Sequence, residues 1–252
     1  MKLAHKATKY LVTGASGSGK STFARRLALN SFAQGRYGKL LVFDHDGEFS
    51  LRSGIESAFT VEELCDDFEK RNVAVFDPSH LYPGDNETAW DFFCEWCFLC
   101  GQHYEGSILF YCDEIQLFVG TDTLSSQFQK LVETGRRWGI DTLAITQQYN
   151  LVHNRLRNQI THLISFVQRD IRAIQALEER GFYDVDFQRL GQGEYVILTP
   201  DGIVTRNKIE FDGKSLDTSG NCAEAEPRNE GEPLEQQNQT EETNERQNDP
   251  GD

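Results

Sequence analysis

Between the apolar run Tyr10–Thr13 and the helically spaced segment Ser21–Ala33 the chain carries Gly14-Ala15-Ser16-Gly17-Ser18-Gly19-Lys20-Ser21, which satisfies the pattern G-x-x-x-x-G-K-[ST]. Three glycines let a backbone curl so tightly that successive N–H groups, together with the positive end of the following helix, face one anion. The expected ligand is ATP. Gly14, Ala15, Ser16, Gly17, Ser18, Gly19, Lys20, Ser21 and Thr22 are expected to surround its phosphates, with Lys20 reaching the β and γ groups and the Ser21 hydroxyl on Mg2+. The bland alternative is a Gly/Ser turn that merely caps a helix, and the strand–loop–helix setting argues against it.

Magnesium needs a second anchor and an attacking water needs a positioning group. The buried-strand pattern Ile108-Leu109-Phe110-Tyr111-Cys112 ends in Asp113-Glu114, which delivers two carboxylates to one sheet edge. Asp113 is expected to hold the metal through water, and Glu114 to orient or activate the nucleophile. A solvated acidic pair at a strand end is the alternative.

Similar β-branched or aromatic runs occur at Leu40–Asp44, Val73–Asp77, Thr142–Thr146 and His162–Phe166, interleaved with helical spacing at Val61–Arg71 and Ser125–Arg137. Such alternation predicts an α/β fold with a mainly parallel sheet flanked by helices. Glu194–Leu198 and Ile203–Lys208, joined by Pro200-Asp201-Gly202, read as a C-terminal hairpin.

At 252 residues the chain is long enough for one domain with a well-buried core. We expect that domain at 1–213. Residues 214–252 hold eleven Asp or Glu against three Lys or Arg and almost nothing aliphatic, so they read as an acidic disordered tail. Removing that tail's −8 from the total of −15 leaves −7 on the rest. Overall acidity argues against nonspecific coating of nucleic acid but leaves room for a basic surface inside a ring. No run approaches the roughly 18 apolar residues of a membrane span, and Met1–Tyr10 lacks a signal-peptide core. A soluble intracellular protein without an intrinsic membrane span is expected, and its cysteines demand no disulfide.

Further motifs carry a family resemblance. Asp44-His45-Asp46-Gly47-Glu48-Phe49 resembles the "D-x-x-G-E-aromatic" element of HerA-like ATPases. Gly135-Arg136-Arg137-Trp138-Gly139-Ile140 is similar to the "G-R-x-x-G-I" element of the HerA/FtsK superfamily, and Leu143-Ala144-Ile145-Thr146-Gln147-Gln148 to its sensor strand. The resemblance spans about Tyr10 to Thr146 and implies a P-loop NTPase of the RecA-like ASCE type. It also implies that Gln147 senses the γ-phosphate and that Arg136 is an arginine finger acting on a neighbouring subunit's ATP. Arg137 is chemically equal as a finger, and helix-end arginines or a strand-end amide are the plain alternatives.

Most members are ring-forming translocases of double-stranded DNA. With no room for the HerA barrel or the winged-helix module of FtsK, the chain most resembles the minimal genome-packaging ATPases of tailless, internal-membrane viruses. That implies a DNA-translocating ATP hydrolase, a homo-oligomeric ring with a hexamer favoured, capsid-vertex or virion-membrane partners, and a place in the host cytoplasm or on the virion. Two other readings stay open: a virion-assembly or secretion ATPase acting on proteins, and a nucleotide-gated binder without turnover.

Three other segments are ambiguous. Cys94, Cys97, Cys100 and His103 fall on one helical stripe, which suits packing better than a zinc knuckle. Arg155 and Arg157 suit a DNA channel or a solvated loop, and Gln168–Arg180 suits an intersubunit or a plain surface helix.

Overall fold

The computed structural model describes residues 7–209. Eight strands form one sheet: β1 Lys9–Thr13, β2 Lys39–Phe43, β3 Val73–Phe76, β4 Ile108–Cys112, β5 Ile140–Thr146, β6 His162–Ser165, β7 Glu194–Leu198 and β8 Val204–Lys208, in the spatial order β3-β2-β4-β5-β1-β6-β7-β8. The first six pair with one another in parallel, and β7, antiparallel to β6, and β8 close the sheet. β5 therefore lies between β1, which leads into the glycine-rich loop, and β4, which leads into the acidic pair. The sheet is mainly parallel and ends in a hairpin, as the sequence predicts.

Every residue of β2, β4 and β5 is buried, the mark of strands covered on both faces. One face receives α1 (Lys20–Ala33) through Ala24 and Ala28, and α2 (Glu48–Ser53) through Phe49, against Val12, Val42 and Tyr111. The other receives a thicker aromatic layer. Helices α3 (Val61–Asp66) and α4 (Asn86–His103) are followed on this face by α5 (Ser126–Thr134), which packs on α4, the single turn α6 (Asn154–Arg157) and α7 (Ile171–Arg180). Trp90 of α4 stacks on Phe118 at 4.8 Å and meets Phe43 edge-on at 5.2 Å, beside Phe110 and Phe128. This layer, rather than β-propensity alone, fixes how β2 and β4 sit.

Local chemistry refines two of the expected helices. Thr60 and Glu63 form a reciprocal capping box that starts α3, but the regular helix stops at Asp66 and a wider turn, Asp67–Arg71, replaces its end. Ser125 caps α5, whose regular part ends at Thr134; the tighter turn Gly135–Trp138 then brings the chain to β5. Gly139, in the left-handed region at φ 74°, makes the reversal, and a Cβ there would meet the Gly106 carbonyl oxygen at 3.0 Å. The expected tail at 214–252 lies outside the described residues, and among those described no helix is long and apolar enough to cross a membrane.

Candidate nucleotide site

The C-terminal ends of β1, β4 and β5 converge, and each hands over functional side chains. Gly14 begins the loop at the end of β1, where a Cβ would sit 2.7 Å from the Cβ of Phe166, so only glycine lets β1 and the chain leaving β6 come this close. The loop is pinned from outside: the Ala15 amide donates to the Val167 carbonyl at 2.9 Å, and the Gly193 amide to the Ser18 carbonyl at 3.1 Å. Gly19, at φ 103°, turns the chain into α1, whose N-terminus has no side-chain cap. A fourteen-residue helix therefore presents its first N–H groups and its positive dipole end to the loop's interior. Lys20 lies against this loop and is largely buried.

Asp113 faces Ser21 across the space between β4 and α1. The Ser21 hydroxyl donates to its carboxylate, and the Glu114 amide donates to Asp113 Oδ1 at 2.8 Å. Burial pushes the Asp113 carboxyl above its usual range; the Ser21 and Glu114 hydrogen bonds and the Lys20 charge oppose this, while Asp46 adds to it. A hydroxyl and a carboxylate oxygen side by side are the hard donors Mg2+ takes, and a divalent cation relieves the cost of holding that carboxylate ionised in a buried place.

Glu114 occupies the left-handed region at φ 48°, ψ 44°, unusual for a residue with a side chain. The strain turns its carboxylate toward the end of β5. There Gln147 Nε2 donates to Glu114 Oε1 at 2.8 Å. A segment far off in sequence thus fixes the orientation of the acidic side chain.

The element Asp44–Phe49 borders the same edge. Asp44 is 3 % exposed and accepts from the amides of Phe49 and Ser50, each at 2.9 Å, which anchors the start of α2. Phe49 packs on Tyr111 of β4 at 4.9 Å. Glu48 and Asp46 are exposed, and Asp46 is close enough to Asp113 to raise its carboxyl. Nothing in the local sequence marks Asp46 as a neighbour of Asp113; only the pairing of β2 with β4 does.

Arg136 and Arg137 are not brought to this edge. Both are exposed in the turn before β5, beside the first residue of β1, where Arg136 depresses the Lys9 ammonium after burial. The seven residues of β5 separate them from Gln147 by roughly 20 Å at strand rise. No arginine side chain spans that distance, so neither residue reaches the phosphate loop of its own chain.

The remaining segments separate cleanly. Cys94 and Cys97 are fully buried in the aromatic layer, which drives their thiols well above the ordinary range; Cys100 is partly buried, with its thiol pushed up to about 12, and Cys65 lies on the surface. No group of three or more His, Cys, Asp or Glu among the described residues is arranged to hold a metal. Arg155 is exposed on α6, whereas Arg157 lies over the Tyr149 ring at 5.3 Å. Helix α7 buries Ala173 and Leu177 and leaves Ile171 and Arg172 exposed.

Residues 7–92 match the family described as Helicase HerA, central domain. No curated protein matches the chain by sequence. Among solved structures, the genome packaging NTPase B204 of Sulfolobus turreted icosahedral virus 2 in complex with sulfate superimposes with a TM-score of 0.67 at 16% identity, over 82% of this chain and 98% of that one. B204 of Sulfolobus turreted icosahedral virus, described as a DNA-packaging ATPase, gives 0.62 at 15% identity, over 84% and 100%. Thermomonospora curvata EccC (ATPases 2 and 3), in complex with a signal sequence peptide, gives 0.50 at 11% identity, over 82% of this chain and 37% of that one. The family match over residues 7–92, the shared fold and the glycine loop at the head of α1 make the chain similar to HerA-type ATPases and give it the P-loop fold.

Proposed function

We propose that this protein hydrolyses ATP and uses the energy to move double-stranded DNA, as the packaging motor of a viral genome. The observation that carries the hydrolytic part is the convergence of Lys20, Ser21, Asp113, Glu114 and Gln147 at one sheet edge, with Gln147 bonded to Glu114. In this reading the phosphates lie in the loop Gly14–Ser21 with Thr22 behind them. Ser21 and Asp113 hold Mg2+, which neutralises developing phosphoryl charge when bound. Glu114 takes the proton of the attacking water while Gln147 keeps its carboxylate aimed.

The placement of Arg136 supports an oligomer. A guanidinium that cannot reach its own phosphate loop stabilises the transition state only on another subunit, and repeated head-to-tail contacts of that kind close into a ring. We take the ring to be a hexamer, and we take its track to be DNA because the similar fold of B204 belongs to a DNA-packaging ATPase. Likeness to EccC, solved with a signal sequence peptide, supports a second reading, in which the chain works on protein during virion assembly or secretion.

Steady-state ATP hydrolysis with and without double-stranded DNA, at two salt concentrations and with Glu114→Gln as the blank, separates these readings. Stimulation by DNA that weakens with salt supports the motor. Turnover indifferent to DNA shifts the assignment to a protein substrate, and no Glu114-dependent turnover removes the hydrolase reading altogether.

A further inference from the structure

Behind the catalytic edge lies a polar pair that the nucleotide does not need to touch. Thr13, the last residue of β1, is 0 % exposed and Gln168, just after β6, is 1 % exposed. Gln168 Nε2 donates to Thr13 Oγ1 at 3.0 Å, and Thr13 Oγ1 donates in turn to the main-chain carbonyl of Gln147 at 3.5 Å. Gln147 then donates through its side chain to Glu114 at 2.8 Å. Four residues from the ends of β6, β1, β5 and β4 thus form one hydrogen-bonded series, although they come from widely separated parts of the sequence.

The direction of these bonds matters. A hydroxyl has one hydrogen and two lone pairs. Gln168 fills a lone pair, which leaves the Thr13 hydrogen free for the Gln147 carbonyl. Were the partner at position 168 an acceptor, the same hydrogen would turn away and Gln147 would lose its anchor. At 3.5 Å the Thr13–Gln147 bond is the weakest link, and so the one that a change at either end breaks first. Burying two polar side chains where apolar ones would pack equally well has a cost, and pairing them merely cancels it. The pair therefore does more than fill space.

Resting on the hydrolase reading above, we propose that Thr13 and Gln168 are positioning residues for Glu114. They hold the Gln147 main chain, Gln147 holds the carboxylate, and neither Thr13 nor Gln168 touches the reacting atoms. Their neighbours suggest why the anchor sits at this place. Phe166 donates its amide to the Thr13 carbonyl at 2.9 Å and Val167 accepts from Ala15, so the segment 166–168 grips the phosphate loop and the Gln147 anchor together. Asp170, two residues on, caps α7 by accepting from the Ala173 amide. A displacement of α7 would then be felt at the phosphates and at Glu114 through one short stretch of chain.

The test uses the full chain with ¹⁵N-labelled glutamine and the variants Thr13→Val and Gln168→Met, both close in volume to the residues they replace. The Gln147 side-chain amide signal, identified by its loss in Gln147→Ala, reports the bond to Glu114 whether or not the protein turns over ATP. Positioning predicts that this signal moves toward that of a free amide in both variants and returns in Thr13→Ser, which keeps the hydroxyl. It also predicts about a tenfold fall in kcat with KM for ATP within about twofold, and no further fall when either variant is combined with Gln147→Ala. An unmoved amide signal in a folded variant overturns the proposal, as does a rise in KM alone or a loss that adds to that of Gln147→Ala. If Thr13→Val does not fold, Gln168→Met decides by the same signal. A wild-type protein without Glu114-dependent turnover would sink the hydrolase reading and leave the amide signal to judge the anchor.

Discussion

Gln147 and Glu114 stand at the ends of the adjacent parallel strands β5 and β4, and the amide of the first donates to the carboxylate of the second at 2.8 Å. A carboxylate held by a neutral amide donor keeps lone pairs with which to take a proton from water, while its direction is fixed. Gln147→Ala should therefore lower kcat by about ten- to a hundredfold and Glu114→Gln by about a hundredfold or more, both with nearly unchanged nucleotide affinity. Equilibrium binding of a fluorescent ATP analogue beside steady-state turnover checks the split. Parallel losses of binding and turnover would place both residues in ground-state contacts instead.

Because Arg136 lies at the opposite end of the sheet from its own phosphate loop, its removal should be complemented by another subunit. Arg136→Ala and Glu114→Gln are each expected to be inactive alone. Mixed in equal amounts they should regain a measurable fraction of wild-type turnover, since some interfaces then pair an intact Arg136 with an intact Glu114. Absence of recovery in stably mixed oligomers would count against a finger at this position, and recovery with Arg137→Ala in its place would move the role one residue on.

Gly14 tolerates no side chain. In Gly14→Ala the new methyl meets Phe166 Cβ at 2.7 Å, so either β6 or the loop must shift. A displacement on the order of 1 Å in a phosphate cradle costs about a hundredfold in function. Isothermal titration with ATP should show loss of binding, while circular dichroism remains that of the folded chain.

Asp44 anchors α2 by accepting from two backbone amides in a buried place. Asp44→Ala leaves both amides unpaired, which costs about 1–3 kcal/mol. For a domain of this size each kcal/mol lowers Tm by about 2–4 °C. Differential scanning calorimetry reads that shift. No change in Tm would show that water replaces the carboxylate without cost.

The thiols should divide by burial. In a Cys222→Ser background, reaction with a chromogenic disulfide at pH 8 should modify Cys65 quickly and Cys100, its thiol raised to about 12, slowly. Cys94, Cys97 and Cys112 should stay silent until denaturant is added. Rapid modification of Cys94 or Cys97 in the native protein would contradict their packing in the aromatic layer.

The phosphate loop and the acidic pair were legible residue by residue, because each is a local pattern whose chemistry requires those residues in that order. The same holds for the alternation that predicts a parallel sheet, and for the hairpin turned by Pro200-Asp201-Gly202, since period and turn chemistry are short-range properties. Helix ends were less legible, as the wider turn at Asp67–Arg71 and the tight one at Gly135–Trp138 show. There, packing against the aromatic layer and the approach to β5 decide where the regular helix stops.

The sequence alone could name Glu114 and Gln147 as separate candidates, but it could not say that they touch. It could likewise place Arg136 and Gln147 at the two ends of one strand without revealing that the Arg136 end lies beside Lys9 at the start of β1. Asp46 beside Asp113, and Gln168 behind Thr13, carry no local signal at all. The length of β5 sets the Arg136–Gln147 separation, and the other relationships arise from strand order: β5 inserts between β1 and β4, β2 pairs with β4, and β6 with β1. That order is set by which apolar faces bury one another across the whole chain, a long-range condition that no short stretch of residues encodes.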